Sequence, residues 1–157
     1  MDTGGYGFVL AAHSTLRWLI LAAGIAATVR AWSGLLGRRS WTRTDSLAAR
    51  VFVMGMDTQL VVGAVLYGVF SPAVVLAMSN TAIAMQNRGL RFWMVEHPLA
   101  MIVAVALAHV GWLKAKRTTG PDAHRHASLY FTLAVLIVLA SMPWPFFSYG
   151  RALLPRW

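Results

Sequence analysis

The sequence predicts an all-α integral membrane protein: a single domain, residues 1–157, built as a bundle of four transmembrane helices running up, down, up and down. Three observations carry this. The chain is 58% hydrophobic and only 12% charged, with a mean hydropathy of +0.60, too apolar for a soluble domain. Four apolar runs reach or approach the about 20 residues that cross a hydrocarbon core of roughly 30 Å. The formal charge of +9 sits in clusters beside those runs, as in membrane proteins with basic cytoplasmic loops, so the expected partner is a lipid bilayer and not nucleic acid.

The first span reads from about 8 to 32, interrupted by His13, Arg17 and a few small polar residues, and is closed by Arg30, Gly34, Gly37 and the pair Arg38-Arg39. Residues 1–9 have neither the basic start nor the cleavage site of a signal peptide, so this helix is expected to be retained. The second span, about 47–70, contains Asp57 and Gln59 and stops at Ser71-Pro72, where proline withholds the amide that a helix needs. Residues 73–90 mix Val74, Leu76, Met78 and Ile83 with Ser79, Asn80, Gln86 and Asn87, which predicts a short interfacial helix or re-entrant loop.

The third span, about 92–113, tolerates Pro98 near its first turn and ends at Lys114, Lys116 and Arg117. Gly120-Pro121 signals a turn in a linker covering 118–125, which puts His124 in a solvated basic loop and His126 where that loop meets the fourth span. The fourth span, about 127–142, ends at Pro143-Trp144-Pro145-Phe146-Phe147, whose aromatic rings suit a headgroup interface.

Nine basic residues flank the two loops that join spans one to two and three to four, among them Arg38, Arg39, Arg43, Lys114 and Lys116. Four lie on the other side: Arg88, Arg91, Arg151 and Arg156. The excess predicts both termini outside the cytoplasm. His13 and His97 then enter the membrane from the same outer face at matching depth, since each residue of helix rises about 1.5 Å.

Ionisable groups at such depth need a reason. With no cysteine in the chain, disulfides, thiolate metal sites and covalently attached c-type haem are excluded, and a metal must rely on His, Met, carboxylate or backbone. Two histidines on different helices at one level can ligate a b-type haem between them; hydrogen-bonded structural roles or proton relay are the alternatives. Arg17, four residues after His13, shares its face and can meet a haem propionate or pair with Glu96 across the bundle. Arg91 and Arg88 are further propionate candidates or solvated anchors. Gln59 and Gly63, one turn apart, fit close helix packing, or the approach of a flat macrocycle with the amide as hydrogen-bond donor. His109 lies about 18 Å from His97 along the helix, too deep for the same iron. It can pair with Asp57, pass protons, or hold a second haem with His126. Met94 and Met101 flank His97, so copper is a further option.

The steps His13-Ser14-Thr15-Leu16-Arg17-Trp18, Gln59-Leu60-Val61-Val62-Gly63 and Glu96-His97 resemble those of short four-helix bacterial membrane b-type cytochromes and, more distantly, one half of haem A synthase. The resemblance covers the first three spans. It implies haem b between His13 and His97, with Glu96 and Arg17 as polar neighbours, in a bacterial inner membrane. Haem A synthase has a second such half and sets its glutamate several residues before its histidine, whereas Glu96 adjoins His97. The expected function is one-haem electron transfer, between a quinol or outer donor and a larger respiratory or photosynthetic complex, with a homo-oligomer also open. The alternatives are a cofactor-free accessory subunit of such a complex, and a haem-modifying or copper-handling protein.

Overall fold

A computed structural model describes residues 3–154; Arg156, counted above among the outer basic residues, lies outside the described residues. Helix α1 spans Thr3–Leu36. Helix α2, Arg43–Val65, starts from a reciprocal cap: the Thr42 hydroxyl accepts the Asp45 amide, while the Asp45 carboxylate accepts the Thr42 amide at 2.9 Å. Asp45 is only 5% exposed and also takes the Arg30 guanidinium at 2.7 Å. One carboxylate therefore caps α2 and ties it to the last turns of α1.

Past Val65 the α2 ladder widens into a π-helical turn, Leu66–Phe70, before Ser71-Pro72 ends it. The stretch expected to be one interfacial helix or loop is three short helices: α3 Pro72–Ser79, α4 Thr81–Gln86 and α5 Arg88–Arg91. Ser71, Asn80 and Asn87 each accept, through a side-chain oxygen, the amide three residues on. Polar residues that seemed to interrupt an apolar run are its helix caps.

A second π turn, Phe92–Glu96, leads into α6, His97–Lys116. Gly120, at φ 66°, turns the chain into α7, Pro121–Ala140. The sequence placed His124 in a loop and His126 where that loop meets the fourth span, but Pro121 opens a helix, since its missing amide is one that no first turn uses. His124 is fully buried, its ring tilted by 55° against Trp41 with centroids 4.9 Å apart, and it lies over Gly34.

Four helical stretches are long and apolar enough to cross a membrane: Gly4–Leu36, Arg43–Phe70, Arg88–Lys116 and Pro121–Ala140. Each leaves large apolar side chains on the outer surface, such as Leu19, Val61, Ile102 and Leu136. A surface of that kind is consistent with a lipid environment. No strand occurs among the described residues.

Helix α1 packs on α2 and α7, and α6 packs on the same two. Neighbours run antiparallel: Arg30 of α1 meets Asp45 of α2, His13 meets Gly63, and Gly24 and Gly34 face Val135 and His124 of α7. In one half of the bundle the diagonal is filled by Phe52 and Phe131, edge to face with centroids 5.5 Å apart. Glycines make room for these rings: a Cβ on Gly24 would lie 2.6 Å from the Phe52 ring, and one on Gly111 would lie 2.7 Å from the Tyr130 Cβ.

Gly111→Ala is expected to lower the thermal midpoint in detergent, because overpacking of this kind costs about 1–3 kcal/mol. Gly7→Ala, where an added Cβ meets nothing within 4 Å, serves as the neutral control.

Candidate functional site

The other half of the bundle is open. A cavity of about 460 Å³, in the range of small-molecule sites, lies between α1, α2, α6 and the segment after α7. Its wall is largely apolar, with His13, Arg17, Gln59, Tyr67, His97 and Arg151 among the polar groups that reach it, and among the described residues no acidic side chain lines it.

His97 owes its position to Pro98. Proline has no amide for the carbonyl four residues earlier, and its ring crowds that carbonyl, so the helix widens just before it. The His97 amide accordingly donates to the Phe92 carbonyl, five residues back, and the Tyr67 hydroxyl donates at 3.1 Å to Met94, the carbonyl that Pro98 cannot serve. The five-residue turn sets Phe92 over His97, ring centroids 5.6 Å apart, with Trp93 at 5.8 Å. The same pattern recurs at Leu66–Phe70, where Ser71 donates to Leu66 before Pro72.

The imidazole of His97 is held through Nδ1, which lies 2.9 Å from the Ser141 carbonyl. As the donor to that carbonyl, Nδ1 carries the proton and Nε2 is left with its lone pair. Across the bundle diagonal stands His13, ring centroids 6.5 Å away and ring planes inclined by 73°. Gly63 admits this ring, since a Cβ there would meet His13 Cε1 at 3.2 Å. Gln59 donates to the His13 backbone carbonyl at 3.0 Å. The Gln59-Gly63 step thus packs against His13 while also lining the cavity.

Two nitrogens ligating one metal from opposite sides stand about 4 Å apart. With a ring radius added at each end, imidazoles turned nitrogen to nitrogen would have centroids about as far apart as the 6.5 Å between these two rings. His13 and His97 are thus the residues that would hold a metal-centred macrocycle here. A bare ion would want more donors, and among the described residues no three His, Cys, Asp or Glu side chains form a metal-binding group.

Buried polar atoms without a partner gather at this wall. Among the described residues such atoms are His13 Nδ1, Arg17 Nε, Gln59 Oε1, Thr28 Oγ1 and His124 Nδ1, and the first three belong to residues lining the cavity. Native interiors leave few such groups, and their concentration in one chamber marks a place for a ligand.

Other expected contacts are rearranged. Arg17 does not pair with Glu96: it donates to the Leu153 carbonyl at 2.8 Å, and Glu96 takes Arg91 at 2.6 Å. The widened turn leaves Glu96 exposed, away from the cavity, so neither Glu96 nor Arg91 lines it. Arg88 lies over Tyr149 instead. Asp57 and His109 do pair, at 2.8 Å, bridging α2 and α6 with 46% and 37% of their side chains exposed. Sequence reasoning overlooked Tyr67, Trp93 and Arg151 as cavity residues, and Arg151 had been read only as an outer-side charge.

No family model, curated protein or solved structure matches this chain. The likeness to membrane b-type cytochromes and to half of haem A synthase rests on the quoted residues alone.

Tyr67→Phe is expected to destabilise the fold by about 1 kcal/mol through the lost bond to Met94. In a Pro98→Ala background, where residue 98 regains an amide, the same change should cost markedly less; a denaturation double-mutant cycle reads the difference.

Proposed function

We propose that the chain is a four-span membrane cytochrome for one haem b in the cavity, where His13 and His97 would hold the iron. The observation that carries this is the diagonal imidazole pair, spaced for one metal between its rings and facing a chamber with unpartnered polar atoms. The second coordination layer also fits: a ligating histidine donates its other ring nitrogen to a fixed acceptor, as His97 does to Ser141.

When bound, haem b supplies a one-electron iron couple, tuned by its axial ligands and by burial. The chain's own residues do the holding. Ser141 sets the tautomer of His97, Gly63 and Gln59 seat His13, and Phe92 and Trp93 exclude water beside His97. Arg17, on the cavity wall, provides positive charge next to the macrocycle. The excess of basic residues at the opposite end of the bundle orients the haem toward the outer face of a bacterial inner membrane, with both termini on that side. Electrons would pass between a quinol or other outer donor and a larger membrane complex.

A second reading, a cofactor-free accessory subunit, is favoured by the Asp57–His109 pair, which is half-exposed on an apolar surface and so suits contact with a partner helix.

The purified chain is expected to show a Soret band and split visible bands on reduction. His13→Ala and His97→Ala should each abolish the bound haem while the α-helical circular dichroism persists. A folded, colourless wild-type protein would overturn the haem reading in favour of the accessory subunit.

A further inference from the structure

We propose that Arg17 and Arg151 together form a clamp for the carboxylates of the cavity's ligand, with the segment after α7 supplying half of the site. The proposal rests on the haem reading above, and it names the two propionates as the groups held.

The two arginines reach one chamber from different parts of the chain. Arg17 comes from α1 and Arg151 from the segment following α7, and both line the cavity. Among the described residues neither forms an ion pair with a carboxylate, and none of those lining the cavity is acidic. Uncompensated positive charge beside an apolar chamber calls for an anion.

Both guanidiniums are held in place by neutral partners. Arg17 donates through Nη2 to the Leu153 carbonyl, which also accepts the Trp18 indole N–H, each at 2.8 Å. Arg151 donates through Nη2 to the Tyr6 hydroxyl at 3.1 Å, and its guanidinium carbon lies 4.4 Å from the centre of the Trp93 ring. Its backbone amide donates to the Pro143 carbonyl at 3.0 Å, which fixes the turn that delivers it. A guanidinium has five N–H donors, and each of these side chains uses one in a hydrogen bond. Arg17 Nε is buried without a hydrogen-bond partner among the described residues. What remains is two fixed forks of the geometry that grips a carboxylate through two parallel bonds.

A lone fatty acid or a lipid phosphate would also satisfy positive charge. The paired imidazoles on the same wall select a ligand with a metal at its centre and anionic groups at its edge, and haem b has two carboxylates on one edge.

The haem-free full chain in detergent is titrated with haem b and with haem b dimethyl ester, in which both carboxylates are neutral, and binding is followed by the Soret shift. Wild type is expected to bind the ester about tenfold or more weakly than haem b, the scale of one charge-assisted contact. Arg151→Gln should weaken haem b by a similar factor and leave the ester unchanged, Arg151→Lys should recover part of the loss, and Arg17→Gln should also act on haem b more than on the ester. Equal wild-type affinity for the two porphyrins would overturn the clamp while leaving the haem reading intact. So would an Arg151→Gln variant that weakens both alike, since the segment would then only hold the fold. No Soret response to either porphyrin would remove the haem reading and the clamp with it.

Discussion

A missing hydrogen bond at Pro98 organises the open half of the bundle. Because this proline withholds an amide from Met94, the helix takes a five-residue turn, and that turn sends His97 inward and Glu96 outward from adjacent positions. Tyr67, from the end of α2, meets the carbonyl that proline leaves behind, so the local defect becomes a contact between two helices. Wide turns of this sort cost regular hydrogen bonding and recur where a side chain must be aimed.

The two halves of the bundle answer the same problem differently. Where Gly24 and Gly111 remove side chains, Phe52 and Phe131 close the diagonal and the centre is packed. At the other end Gly63 makes room for the imidazole of His13 on the wall of the cavity. Glycine thus serves close packing in one half and the shaping of a cavity wall in the other, the difference lying in whether the ring it admits spans the diagonal or stops at its edge.

Much of the architecture was legible because membrane-length apolar runs have few other uses, and the shared level of His13 and His97 followed from rise per residue. The pairing of Asp57 with His109 was legible for the same reason. Side-chain direction was not. Regular α-helical phasing cannot anticipate a π turn, so Glu96 stood as one of two candidate partners for Arg17, beside a haem propionate, whereas it bonds Arg91 on the exposed face. Pro121 was taken for a linker residue although a helix can begin on it, and that cost the burial of His124. Asn80 and Asn87 looked like interruptions because a cap and a polar intrusion have the same composition. Arg151 lies beyond the last span, where spacing rules say nothing about how the chain folds back.

The Asp57–His109 bond has a mechanical side. It joins α2 to α6, two helices that also meet at the Tyr67–Met94 contact nearer the cavity. An acid and an imidazole facing hydrocarbon have no solvent to turn to when they part, so each is the other's best partner there. Water offers both of them substitutes. The seam between α2 and α6 would then act as a latch that tightens as its surroundings dry, stiffer in a bilayer than in a wet micelle.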